Sequence, residues 1–112
     1  MLTATVALGV TLAVLYLGGR RRSALGLIHG LAGAAGLGLL LIALQGPRRG
    51  DAMGAESFGM VASVLFGLEL AFGPFIPFVN RTSPRAAGIV IATHAGLAVT
   101  AFVLFLAWAS LG

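Results

Sequence analysis

The chain has 112 residues, of which 59% are hydrophobic and 9% charged, with a mean hydropathy of +1.06; a soluble domain of this size cannot bury so much apolar surface, and the composition reads as an integral membrane protein. The net charge of +4 comes from arginine alone, and the arginines stand at segment ends, where they orient a membrane protein and meet lipid headgroups; nucleic-acid binding is not indicated. The absence of cysteine excludes disulfides and thiolate metal ligands.

Segment one, residues 1–19, has no positively charged n-region and no small-residue cleavage pattern, so a retained helix is expected there. Its polar groups are Thr3, Thr5, Thr11 and Tyr16, the last one turn before Arg20, at the depth of an interfacial aromatic. A tight turn carrying Arg20, Arg21 and Arg22 leads into segment two, residues 23–45, long enough to cross a bilayer, which takes about 20 apolar residues. Its one ionisable group is His29. Gly26, Gly33 and Gly36 share a helical face with it at steps of three or four, making a smooth stripe for another helix backbone or a flat group.

The loop at 46–56 is polar and near neutral, with Arg48 and Arg49 against Asp51 and Glu56. Segment three, residues 57–79, contains Glu69 and is expected to bend at Pro74 and Pro77. A second basic turn follows, with Arg81 and Arg85. Segment four, residues 86–111, contains His94 and ends near Trp108, expected at the interface.

The fold class expected is all-α: one integral membrane domain, residues 1–112, forming a four-helix up-down-up-down bundle. Both basic turns fall on the same side, called side B, which holds Arg20, Arg21, Arg22, Arg81 and Arg85 and no acid. The positive-inside rule puts side B in the cytoplasm and both termini on the outer, periplasmic side, with the bacterial inner membrane as the expected location. The two halves also share a faint pattern: apolar helix, basic turn, then a helix with an early histidine.

His29 lies about 10 Å beyond Arg22 along its helix and His94 about 13 Å beyond Arg85; Glu69 is about 18 Å before Arg81, less any kink. Three helices thus bring their deep ionisable residues towards one layer. Such residues are costly in lipid, and a site is the default reading. Helices two and four stand on a diagonal, roughly 11–14 Å across for ordinary helix spacing, which suits a planar metal macrocycle between two imidazoles. Gly26, Gly33 and Gly36 on one side, and Ala87, Ala98 and Ala101 on the other, would leave a slot for it. Phe66, Phe72, Phe102 and Phe105 would wall the ring, and Arg22 and Arg85 would pair with its carboxylates.

Two histidines facing each other from separate helices of a small, glycine-rich membrane bundle resemble the b-type cytochromes, including the cytochrome b561 group. The resemblance covers these two positions and the architecture. It implies haem b with His29 and His94 as axial ligands, and electron exchange with a quinone or another redox protein. The chain departs from larger members in having one histidine pair and in carrying Glu69.

Other readings come from the same residues. His29, His94 and Glu69 form a two-histidine, one-carboxylate set suited to zinc or iron. A lone membrane glutamate is similar to that of small proton-coupled multidrug transporters, although there it lies in the first helix. In a structural subunit of a larger complex or a homo-oligomer, Glu69 would simply pair with His29 or His94. A carboxyl in hydrocarbon must be neutral or paired, and Glu69 is expected to accept from a histidine or carry a proton. No catalytic triad or phosphate loop is present, so redox chemistry would be the cofactor's.

Overall fold

The computed structural model describes residues 1–20 and 22–111; Arg21, one of the side-B arginines, and Gly112 lie outside the described residues. The chain forms five α-helices: α1 (Leu2–Leu17), α2 (Ser23–Ala43), α3 (Phe58–Phe72), α4 (Phe75–Thr82) and α5 (Pro84–Ser110), with a single 3-10 turn at Asp51–Met53. The expected third segment is therefore two helices, which meet at 43°. Pro74 and Pro77 have no N–H to give the carbonyls one turn back, and Ile76 N–H closes only a short bond to Gly73 O at 3.2 Å.

α2 and α5 are long and apolar enough to cross a membrane, and α3 with α4 makes a third span if the bent pair is taken as one. α1 is apolar but has 16 residues, a rise of about 24 Å against a hydrocarbon core of about 30 Å. The secondary structure of the described residues is thus all-helical, with two or three spans long and apolar enough to cross a membrane.

Local chemistry sets the helix ends. α1 stops where Gly19 takes φ +71°. Arg20 N–H then bonds Leu15 O at 2.8 Å and Gly19 N–H bonds Tyr16 O at 3.0 Å, a Schellman closure. α5 starts on Ser83, whose side-chain oxygen accepts from Ala86 N–H at 3.2 Å, with Pro84 in its first turn.

α1 packs on α2 and α5, and α3 packs on α2, α4 and α5; α2 and α5 make no close backbone contact and stand opposite each other. The core joins Leu2, Leu40, Ala62, Phe66, Ala101 and Trp108, towards the end that carries the 46–57 loop. Trp108 belongs to this core at 5% exposure, not to an open interface. Arg49 covers its ring at 5.3 Å and donates to Ala109 O at 3.3 Å. At the side-B end Tyr16 Oη donates to Asn80 Oδ1 at 3.1 Å, tying the last turn of α1 to α4.

The glycine face of α2 receives α1. Leu2 sits on Gly36, Thr5 on Gly33, and Gly9 on His29, so each step along α1 matches a step back along α2. A Cβ at Gly36 would stand 2.7 Å from Leu2 Cδ2, and one at Gly33 would stand 3.7 Å from Thr5 Cγ2, whereas Gly26 and Gly38 have nothing within 4 Å. Gly36→Leu should therefore lower stability by about 1–3 kcal/mol through overpacking, and Gly38→Leu should change it by less than about 0.5 kcal/mol. Thermal unfolding in detergent checks the difference, and equal loss in the two variants would contradict the contact.

Candidate histidine site

His29 reaches the interior from the first third of α2. Its Nδ1 lies 3.0 Å from Thr5 O. A carbonyl oxygen can only accept, so Nδ1 carries the proton, and in the neutral ring the lone pair is on Nε2. The bond orients the ring in the way that helps a histidine ligate a metal. One turn further along α1, Gly9 stands at the Cε1 edge of the same ring, where a Cβ would be 2.9 Å from His29 Cε1. His29 is therefore clamped by α1: a carbonyl holds it and a missing side chain gives it room.

His94 projects from α5 to meet it. The two ring centroids are 6.3 Å apart and the planes are inclined at 77°. Two helices whose backbones do not touch thus bring their only histidines together. His94 Nδ1 is buried and has no hydrogen-bond partner among the described residues. Beside His94 a cavity of about 210 Å³ is lined by Phe72, Ile89, Val90 and Thr93.

Glu69 is 8% exposed on α3, and its Oε1 is also buried without a partner among the described residues. α3 and α5 pack directly. Each unmet polar atom costs on the order of 1–3 kcal/mol; one N–H···O bond between them, direct or through water, would relieve both.

Some expected members of the site lie elsewhere. Among the described residues no three His, Cys, Asp or Glu side chains converge to hold a metal ion, so Glu69 does not complete a triad with the histidines. Nor is Glu69 Oε1 hydrogen-bonded to a histidine among the described residues, so the Glu69–histidine bond expected both for a structural pair and for an acceptor behind a ligand is not formed. Gly33 and Gly36 are covered by α1 and not by an open slot, while Gly26 is exposed. Ala98 is half-buried on α5, one turn past His94. Phe72 lines the cavity. Phe66, Phe102 and Phe105 join the core instead, where the last two stack at 6.3 Å. Arg22 and Arg85 are exposed at the side-B ends of α2 and α5.

Sequence reasoning missed Thr5 and Gly9. Thr5 acts through its backbone carbonyl, which any residue supplies. Gly9 carried a signal in retrospect: a glycine four residues after Thr5 extends the face that meets α2.

Gly9→Val should push the His29 ring aside and break its bond to Thr5. Nitrogen-15 NMR of labelled histidine should show one Nδ1–H tautomer for wild-type His29 and a mixture in the variant. An unchanged spectrum would contradict the clamp. No protein family, curated protein or solved structure matches the chain.

Proposed function

We propose that this chain is a membrane-embedded b-type haem-binding protein for electron transfer, with His29 and His94 as axial ligands. The observation that carries the reading is the 6.3 Å separation of the two rings. At that separation both imidazoles would be within reach of one metal ion. The donor set fits as well. Nδ1–H of His29 is fixed by Thr5 O, which leaves Nε2 as the donor nitrogen. His94 Nδ1 and Glu69 Oε1, both without a partner among the described residues, lie on packed helices and would serve as donor and acceptor to each other.

Bound haem would supply one-electron chemistry between ferric and ferrous iron. The Thr5 carbonyl orients the His29 ring and holds the proton on its Nδ1, and Glu69, on the helix packed against α5, would be the acceptor for His94. One histidine pair serves one haem, so electrons would pass to a quinone or a redox partner and not along a row of haems within the chain.

In this reading α1, α2, the bent pair α3–α4 and α5 are four spans, with α1 accommodated by local thinning of the bilayer. Side B faces the cytoplasm and both termini face the periplasm of a bacterial inner membrane, as the arginine asymmetry implies. A C-terminal reporter active only outside the cytoplasm is the expected result; one active only inside would reverse the topology.

The protein purified after expression with ample haem should show a Soret band and a low-spin ferrous spectrum on dithionite reduction. His29→Ala and His94→Ala should each abolish bis-histidine ligation. Glu69→Gln should keep the haem. A weaker acceptor makes the ligand less basic, so the midpoint should rise by roughly 20–60 mV, the equivalent of one hydrogen bond. A colourless wild-type protein would overturn the proposal.

A further inference from the structure

The side-B end carries a second feature. Arg20 and Arg22 flank the turn between α1 and α2, and Arg81 and Arg85 flank the turn between α4 and α5; all four are exposed. The Tyr16–Asn80 hydrogen bond draws the two turns together, since Tyr16 is one turn before Arg20 and Asn80 directly precedes Arg81. No acid balances them. Of the acidic residues in the sequence, Asp51 and Glu56 lie in the loop at the other end and Glu69 is buried in α3. The one ion pair among the described residues, Arg48–Glu56 at 3.9 Å, is also at that other end.

Beside this charge lies an apolar face. Phe75 and Phe78 on α4 are 60% and 66% exposed. They precede Arg81 at steps of three, so the three side chains share one side of the helix. This short helix is bent by 43° from α3. A surface with uncompensated guanidinium groups next to exposed aromatic rings matches a molecule that has a phosphate at one end and hydrocarbon at the other.

We infer that the side-B end is a binding site for an anionic phospholipid. Its phosphate diester is held by arginines of both turns through paired N–H···O bonds, and its acyl chains lie against Phe75 and Phe78. The net negative charge of the lipid answers the unbalanced positive charge of the four arginines, which a zwitterionic lipid would not.

The full chain, purified in detergent, can be offered phosphatidylglycerol, phosphatidylcholine or inorganic phosphate at equal concentration, with retention read by native mass spectrometry. Phosphatidylglycerol should be retained well above the other two. Arg81→Gln/Arg85→Gln should weaken its retention about 25-fold, or about 5-fold for each arginine. Arg48→Gln, at the opposite end, should retain it as the wild type does. If circular dichroism shows that the double variant has lost its helices, Arg22→Gln alone decides, with an expected loss of about 5-fold. Equal retention of the two lipids, equal retention of inorganic phosphate, or arginine variants that hold phosphatidylglycerol unchanged would each overturn the inference. None of these readouts depends on haem.

Discussion

The hydrogen bond from His29 Nδ1 to the Thr5 carbonyl, 3.0 Å long, is the contact on which the rest of the interior is arranged. It requires the backbone of α1 to come close to α2, and only glycine permits that approach. At Gly36 a Cβ would already collide with Leu2, and at Gly9 a Cβ would press on the imidazole itself. Small residues are what allow membrane helices to pack, because lipid gives no hydrophobic drive to bring apolar helices together. In this chain the same close packing serves a second purpose: it fixes the tautomer and direction of a histidine.

α1 is therefore more than a membrane anchor. It is the shortest of the three unbroken helices that pack around the histidines, and it supplies one backbone oxygen and one empty position. α5 supplies the opposing imidazole, and α3 supplies a carboxyl with one buried oxygen that has no partner among the described residues. Polar groups of this kind are costly in a core unless something uses them. The packed core lies towards the opposite end, around Trp108, so the stabilising contacts and the polar groups occupy different parts of the molecule.

Much of the fold was legible in the sequence, for physical reasons that can be named. Hydropathy and the two arginine turns marked the helices, and Arg22–His29 and Arg85–His94 spacing set the histidines at similar depth. The break of the third segment was legible only as a bend, because Pro74 and Pro77 remove backbone donors but do not say whether the helix resumes in line. Phe66, Phe102 and Phe105 were expected beside the histidines and lie in the core, since periodicity in so apolar a chain does not tell one buried face from another. The same limit applied to the Gly33 and Gly36 stripe: it announced a flat face but not its occupant. The Thr5 carbonyl left no trace in the sequence, as every residue has one.

In the function proposed, His29 and His94 act as a pair on one metal. Electron paramagnetic resonance of the oxidised, haem-supplied protein tests it most directly, because the signal of low-spin ferric haem depends on the angle between its two axial imidazole planes. With the planes at 77°, a highly anisotropic low-spin signal is expected, and it should be lost when either histidine is replaced. A high-spin ferric signal, or no haem signal at all, would contradict it.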